Sequence, residues 1–206
     1  MKKAIILDLD NTIFSTPSIG DKLFADLYYL LEINLSEFEG DLENLKKDIN
    51  RKPFSVVAKQ YKMTQSLYKD ALQLLSELTY NETIEPFPDY NEVTKIQCDK
   101  FLVTSGFPKL QNSKVKQLGI EKNFKGIYIV DTVMTNDTKK NVFKKILHYY
   151  NYDTSEVVVI GDDPESEIAA AEELGIDAIL YDKLNLYANY FKNPKISDFN
   201  QLQNYL

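Results

Sequence analysis

Two aspartates separated by one residue follow a short apolar run near the beginning of the chain. Residues 4–7 read Ala-Ile-Ile-Leu, and Asp8 and Asp10 come directly after them. A block of Ile and Leu bounded by polar residues is typical of a strand that is buried on both faces. Carboxylates at the end of such a strand are costly to bury without a compensating positive charge, and a bound cation is the simplest compensation. The pair is therefore either a metal-assisted catalytic centre or only a polar strand end.

The composition limits the classes of function. The chain has 206 residues, which suffice for one core or for a core domain with a small appended domain. Its formal net charge of −7 disfavours nucleic-acid and membrane partners, so an anionic substrate would need local positive charge from a metal ion, a lysine or helix N-termini. The single cysteine fits a reducing cytoplasm, and the first apolar run is too short for a signal peptide or membrane span.

The rare residue types exclude several mechanisms. His148 is the single histidine, so a mechanism that needs two histidines and a His-rich zinc site are both excluded. A Ser-His-Asp triad would have to use His148, but a histidine inside a predicted helix is more often a surface or packing residue. Cys98 does not fit a thiolate phosphatase, because those enzymes place an arginine six residues later and this chain has Thr104 there. A structural role is favoured for Cys98.

The spacing of the apolar residues divides the chain into two parts with different predicted secondary structure. Between about residues 21 and 80 the apolar residues recur at helical spacing, which predicts about four helices. Pro17 and Gly20 predict a loop before them, and the prolines of residues 85–89 predict a stiff linker after them. Short strands then alternate with helices; the predicted strands are 101–104, 126–130, 157–160 and 176–180, and the predicted helices are 109–118, 139–150 and 164–174.

This alternation predicts an α/β fold with a doubly wound parallel, Rossmann-like sheet. We assign residues 1–16 and 86–206 to an α/β core domain and residues 17–85 to an inserted helical bundle. In an open parallel sheet, ligands bind at the carboxyl ends of the strands. Reactive side chains follow four predicted strands: Asp8 and Asp10; Thr104, Ser105 and Gly106; Lys139 and Lys140; and Asp162, Asp163 and Glu167.

Three of these segments resemble motifs of the haloacid dehalogenase (HAD) superfamily, most of whose members are phosphohydrolases. Residues 8–12, Asp-Leu-Asp-Asn-Thr, resemble its DxDxT signature. Residues 101–106, Phe-Leu-Val-Thr-Ser-Gly, resemble its second motif, and residues 157–167 resemble its acidic fourth motif. Order, spacing and strand placement agree over essentially the whole chain, and the helical insert resembles a C1-type cap.

The resemblance implies distinct roles for the two aspartates. Asp8 would be the nucleophile that attacks phosphorus and forms an aspartyl-phosphate. Asp10 would be the general acid/base, which protonates the leaving oxygen and then deprotonates the attacking water. Mg²⁺ would be bound by the side chains of Asp8 and Asp162 and by the backbone carbonyl of Asp10.

The remaining motif residues would bind the phosphoryl group. The Thr104 hydroxyl and amides at the Ser105-Gly106 turn would hold phosphoryl oxygens, and a lysine would neutralise their charge. We favour Lys139 over Lys140 because it lies closer to the helix start.

The fourth motif departs from that of many relatives, which have Asp at the position of Glu167. Water-mediated support of the metal by Glu167 and support by Asp163 both stay open, as do roles of these two acids in capping the helix.

The resemblance therefore implies a Mg²⁺-dependent phosphohydrolase that acts on a small phosphorylated metabolite. Asp10 argues against a dehalogenase, because those members lack an acid there and halide leaves without a proton. A phosphosugar mutase on the same scaffold is one alternative. A non-catalytic receiver-like protein that binds phosphate and Mg²⁺ is another, although the helical insert and the pattern of residues 10–12 argue against it.

Overall fold

Six parallel strands form the centre of the protein, which the computed structural model describes over residues 2–131, 133 and 135–206. Along the sheet their order is β3-β2-β1-β4-β5-β6. The strands are β1 (Ala4–Leu7), β2 (Asp99–Ser105), β3 (Gly126–Val130), β4 (Val157–Gly161), β5 (Asp177–Tyr181) and β6 (Lys195–Ile196). The predicted α/β class with a doubly wound parallel sheet is confirmed, and only the two-residue β6 was not expected.

Strand β1 lies in the middle of the sheet and is buried on both faces. Ile5 and Leu7 contribute to one hydrophobic cluster, whereas Ala4 and Ile6 contribute to the other. β1 pairs with β2 on one side and with β4 on the other, so the strand order reverses there. Ligands bind at such a reversal, and the chain continues from β1 directly into Asp8.

Six α-helices lie between β1 and β2, and we call the first five of them the helical insert. They are α1 (Pro17–Leu23), α2 (Ala25–Glu32), α3 (Leu42–Ile49), α4 (Phe54–Gln60) and α5 (Gln65–Glu77). The predicted loop was wrong from Pro17 onward, because proline fits the first turn of a helix, where its missing N–H is not needed. Position 20 lies inside α1 and has no room for a side chain, because a Cβ there would lie 1.9 Å from the Asn50 Oδ1.

The helical insert packs onto the sheet-bearing part of the chain through α5. Within the insert, α2 contacts α1, α3 and α5, and α3 contacts α4. α5 also packs against α7 (Pro108–Leu118), which follows β2, and one hydrophobic cluster includes residues of both parts. The Phe87 N–H donates to the Ile13 carbonyl at 2.7 Å, so the proline-containing linker at residues 85–89 lies against the loop that follows β1. The proposed domain boundaries at residues 16/17 and 85/86 stay a prediction.

The remaining helices flank the sheet, and two of them were predicted closely. They are α6 (Tyr90–Lys95), α7, α8 (Lys139–Tyr150) and α9 (Ala169–Glu172), with a π-helical turn at Pro164–Ile168 before α9. α7 ends at Gly119, which has a left-handed φ of 64°, as a helix-terminating glycine should. The π-helical turn replaces the start of the predicted helix 164–174, and such turns are frequent at functional sites. Within the described residues, no helix has the length and apolarity needed to cross a membrane.

Candidate active site

Asp8, Lys139 and Glu167 form a buried chain of charges at the carboxyl ends of β1 and β4. Lys139 Nζ lies 2.6 Å from Asp8 Oδ1 and 2.6 Å from Glu167 Oε2. The three residues are 6%, 8% and 1% exposed. Each of these charges would be costly to bury alone, so one lysine stabilises two carboxylates that come from distant parts of the chain.

Gly161, the last residue of β4, makes room for Glu167. A Cβ added to Gly161 would lie 2.0 Å from Glu167 Oε1 and 2.4 Å from its Cδ. The Glu167 Oε1 also accepts a hydrogen bond from the Asp163 N–H at 2.8 Å. The glutamate therefore lies directly against the strand end, in a space that any larger residue at position 161 would fill.

Negative charge predominates in this cluster. Burial raises the pKa of Asp8 to about 7 against the effect of Lys139, and the nearby charges of Glu167 and Asp10 add to the increase. Burial, together with the charges of Glu167 and Asp8, also raises the pKa of Asp162. Although burial alone would lower the pKa of Lys139, the two carboxylates raise it above its usual range, so this lysine stays protonated. A bound cation would relieve the excess of negative charge.

The donor set fits a hard divalent cation. Asp8, Asp162 and Glu167 each offer one carboxylate oxygen, and these atoms all lie within 4.8 Å of one another. Mg²⁺ prefers oxygen ligands of this kind. Asp163 has a different role, because its Oδ1 accepts a hydrogen bond from the Glu165 N–H at 2.8 Å and caps the π-helical turn. The geometry thus brings Glu167, rather than Asp163, beside Asp8 and Asp162.

Asp10 is held by three side chains, two of which lie on α7. Lys114 Nζ lies 2.7 Å from Asp10 Oδ1, and the Thr16 hydroxyl donates to the same oxygen at 3.0 Å. The Gln111 amide donates to Asp10 Oδ2 at 2.8 Å. Although burial alone would raise the pKa of Asp10, Lys114 with Gln111 and Thr16 keeps it below its usual range. Asp10 is therefore ionised and fixed in orientation.

The sequence interpretation missed Gln111 and Lys114, although a signal was present. Both residues are buried on α7 and share the helical stripe that carries Leu110 and Leu118. A polar residue at a buried helical position needs a partner, because an unpaired polar group is costly there. The partner, Asp10, depends on how α7 is oriented against β1. The spacing of apolar residues in the sequence does not predict that orientation.

The second motif contributes a buried hydroxyl. Thr104 is 1% exposed, and its Oγ1 accepts a hydrogen bond from the Gln111 amide at 2.6 Å, which leaves its own O–H free to donate. The Gly106 N–H donates to the Val130 carbonyl at 3.0 Å, so this amide is already used in the sheet. Gly106 has a φ of +148°, and a Cβ there would lie 3.2 Å from the Gln111 side chain. Glycine at this position therefore preserves the Gln111 contacts, while Ser105 lines the cavity beside it.

The other candidate residues lie elsewhere. Lys140 pairs with Glu173 on the surface, so the structure places Lys139 and not Lys140 beside Asp8. His148 is exposed on α8, as expected for a helix-surface histidine. Cys98 directly precedes β2 and thus lies at the opposite end of the sheet from the carboxylates.

A cavity of about 170 Å³ lies above the strand ends. This is smaller than the roughly 300 Å³ at which ordinary ligand pockets begin. The carboxylates, Thr104 and Lys139 line it on one side, and the helical insert lines it on the other. The insert contributes apolar side chains and the loop between α3 and α4: Phe24, Ile49, Phe54, Leu75 and residues 50–53.

The carboxylates and Lys139 lie at the carboxyl ends of the strands of a parallel α/β sheet, where ligands bind in such folds. The family model for haloacid dehalogenase-like hydrolases matches residues 2–175. The chain therefore belongs to the haloacid dehalogenase-like hydrolases, and the resemblance drawn from its motifs is confirmed.

Individual relatives are distant from this chain. A glyceraldehyde 3-phosphate phosphatase from Pyrococcus abyssi is 29% identical over 80 residues, which are 39% of this chain and 34% of that protein. The match thus spans about a third of the curated relative's length.

Solved structures of the same fold cover nearly the whole chain. A candidate phosphatase from Clostridium difficile has a TM-score of 0.70 and 19% identity over 98% of this chain and 97% of its own. A candidate HAD-type hydrolase from Bacillus subtilis, solved with bound magnesium, has a TM-score of 0.64 and 16% identity over 98% and 97%. Haloacid dehalogenases are also among the similar structures. At these identities the likeness shows the fold alone.

The fit of Glu167 against Gly161 predicts energetic coupling between these two positions. Gly161→Ala should destabilise the protein because the new methyl group would overlap Glu167. Once Glu167→Ala has removed that side chain, Gly161→Ala should cost little. Unfolding free energies of the two single variants and the double variant, measured by urea denaturation, should give a coupling of about 1 kcal/mol or more. Additive effects would contradict the contact.

The raised pKa values of Asp8 and Asp162 predict how stability depends on pH without metal. A carboxyl group whose pKa is higher in the folded than in the unfolded protein makes the folded state lose stability as pH rises from about 4 through the folded-state value. In a buffer that contains a chelator of divalent metals, Asp162→Asn should therefore stabilise the protein at neutral pH and have less effect in mild acid. Thermal unfolding measures this, with Asp70→Asn on the exposed surface of α5 as the control.

The same variant tests the cation site. MgCl₂ should raise the melting temperature of the wild type at neutral pH by binding the folded state only. Asp162→Asn should lose most of this increase, while Asp70→Asn should keep it. An equal response in all three proteins would show that Asp162 takes no part in binding Mg²⁺.

Proposed function

We propose that this protein is a Mg²⁺-dependent phosphohydrolase that releases phosphate from a small phosphorylated metabolite through an aspartyl-phosphate. The observation that carries the proposal is the second carboxylate, Asp10, which Lys114, Gln111 and Thr16 hold in place two residues after Asp8. Cleavage of a phosphate ester needs a group that gives a proton to the leaving oxygen, whereas a leaving halide does not. Asp10 therefore favours a phosphatase over a dehalogenase.

Asp8 is the proposed nucleophile. An Asp8 carboxylate oxygen would attack phosphorus as the bond from phosphorus to the leaving oxygen breaks, and the aspartyl-phosphate would then be hydrolysed by water. The ion pair with Lys139 fixes the Asp8 carboxylate in one orientation. Lys139 would also stabilise the negative charge on the phosphoryl oxygens during transfer.

The metal site would be formed by the side chains of Asp8 and Asp162 with the Asp10 carbonyl, and Glu167 lies beside it. The clustering of carboxylate oxygens within 4.8 Å and their excess negative charge support this assignment. When bound, Mg²⁺ would screen the repulsion between the Asp8 carboxylate and the phosphate dianion. The hydrogen bonds of Glu167 to Lys139 and to the Asp163 N–H suit a role in fixing the site.

Asp10 would transfer protons at the leaving and attacking oxygens. Its lowered pKa makes it a carboxylate in the resting protein, which is the form that accepts a proton from water. To act as an acid it must first be protonated, and the negative charge of an incoming phosphate favours this by raising its pKa. Its three side-chain contacts would keep the carboxylate in position through both steps.

The phosphoryl group would be held by Thr104, Ser105 and Lys139. The Thr104 hydroxyl is oriented by its acceptance of a hydrogen bond from Gln111, so its proton is free for a phosphoryl oxygen. A positioned donor of this kind stabilises charge that develops in the transition state.

The small cavity supports a small substrate. The curated relative's substrate is the three-carbon ester glyceraldehyde 3-phosphate, and a molecule of that size is compatible with a cavity of about 170 Å³.

A mutase would use the same residues but would keep its aspartyl-phosphate from water and need a bisphosphate for activation. The single cysteine also supports the proposal of a cytoplasmic, reducing location.

Asp8→Asn should abolish Mg²⁺-dependent release of phosphate from p-nitrophenyl phosphate, with a loss on the order of 10⁴-fold or more, as expected for a lost nucleophile. Phosphate is measured after desalting and addition of MgCl₂. Asp99→Asn, the same substitution at the opposite end of the sheet, is the control and should keep its activity. Equal rates for Asp8→Asn and the wild type would exclude Asp8 as the nucleophile.

Asp10→Asn should slow turnover by about 10²- to 10⁴-fold on an alkyl phosphate, because the poor leaving group needs a proton. p-Nitrophenolate leaves without one, so this ester should give a burst of product equal to the enzyme, followed by slow hydrolysis of the aspartyl-phosphate. Rapid-quench kinetics with glycerol 3-phosphate and p-nitrophenyl phosphate compare the two. Unchanged steady-state rates on both esters would remove the acid/base role.

A further inference from the structure

The sequence contains a single arginine, Arg51, among 24 basic residues. It lies in the loop between α3 and α4, at the edge of the helical insert that faces the strand ends. Arg51 lines the catalytic cavity and also a wider groove beside it, so it stands where the two meet. A substrate that enters from the groove would pass this side chain.

Arg51 differs from the other cationic residues that line the cavity. Lys139 is paired with Asp8 and Glu167, Lys114 with Asp10, and Lys52 with Asp48 at 3.0 Å. Among the residues that the structure describes, no carboxylate oxygen lies within salt-bridge distance of the Arg51 guanidinium. The positive charge of Arg51 is therefore not neutralised by a salt bridge to any residue that the structure describes.

Tyr187 lines the same groove as Arg51. This tyrosine follows β5. Burial and the negative charges of Asp163 and Asp162 raise the pKa of Tyr187 to about 12, so the phenol is neutral. A neutral neighbour does not cancel the charge of the guanidinium, whose five N–H donors suit an anionic ligand.

The chemistry of the cavity limits what the leaving group can be. Away from the carboxylates, the helical insert offers the apolar side chains of Phe24, Ile49 and Phe54, which suit a short carbon chain. Five carboxylates line the cavity and repel any further negative charge: Asp8, Asp10, Asp162, Asp163 and Glu167. A planar guanidinium at the rim matches carboxylate or phosphate oxygens in a way that an ammonium group does not.

We propose that Arg51 binds a second oxyanion, a carboxylate or a phosphate, on the leaving group of the substrate, and thereby selects short phosphate esters with an anionic far end. This inference rests on the proposed phosphatase function and adds the class of its substrate. The carbon chain lies against the apolar wall, the scissile phosphate meets Asp8, and the second oxyanion meets the Arg51 guanidinium at the rim.

Ligands that cannot be hydrolysed test the binding directly. Propylphosphonate, 3-phosphonopropionate and ethane-1,2-diphosphonate share one phosphonate and differ at the far end, which is a methyl group, a carboxylate or a second phosphonate. Calorimetry with MgCl₂ present should show about tenfold tighter binding for at least one of the two anionic ligands than for propylphosphonate. The ligand that gains affinity identifies which oxyanion Arg51 binds.

The variant Arg51→Gln should remove this preference, and Arg51→Lys should restore only part of it because an ammonium group lacks the planar fork. Lys59→Gln, on the exposed face of α4 and outside the cavity lining, removes the same charge as a control and should keep the preference. Equal affinities of the wild type for all three ligands, or a preference that survives Arg51→Gln, would overturn the inference.

Kinetics distinguish failure of this inference from failure of the proposed function. The ratio of kcat/KM for 3-phosphoglycerate to that for glycerol 3-phosphate compares a carboxylate with an alcohol on the same three-carbon chain. In Arg51→Gln this ratio should fall about tenfold, mainly through a higher KM for 3-phosphoglycerate. Hydrolysis of both esters without preference for the acid would refute the role of Arg51 alone. Absence of hydrolysis together with a binding preference that needs Arg51 would refute the phosphatase and keep the anion site.

Discussion

The buried contact of Lys139 with both Asp8 and Glu167 is the interaction on which the rest of the site depends. It joins the end of β1, the start of α8 and the π-helical turn after β4, elements that are far apart in the sequence. Removing Lys139 would leave both carboxylates buried without a positive partner, which is far more costly than the pairing is stabilising. The site therefore maintains its geometry because two carboxylates share one buried lysine.

A second set of contacts separates the two aspartates by environment. Asp8 shares its lysine with another carboxylate and has a raised pKa, whereas Asp10 has its own lysine and two further donors and has a lowered pKa. Two identical side chains separated by one residue thus acquire different chemistry. Neighbours that push two pKa values apart are the usual means by which paired acids are assigned different roles.

Much of the fold and part of the site could be predicted from local pattern. The positions of Asp8 and Asp162 at strand ends could be predicted because an apolar run precedes each of them. Such a run is typical of a parallel strand that is buried on both faces. Lys139 was favoured because a helix start follows a strand end, and the structure places it beside Asp8. Gln111 and Lys114 were not predicted because their partner, Asp10, is about a hundred residues away. α1 was missed because Pro17 and Gly20 are loop signals unless tertiary contacts make them helical.

The position of β1 in the sheet has a consequence for how the chain reaches its native state. β1 precedes the other five strands of its sheet in the chain, yet one of its two neighbours, β4, begins at Val157 and pairs with Ala4. The pairing closes a long loop and is entropically slow, whereas the helical insert makes mostly local contacts and can form early. During synthesis the chain would thus carry an ordered helical segment while its first strand and Asp8 still wait for β4. Asp8 can pair with Lys139 only after a further 131 residues have been synthesised.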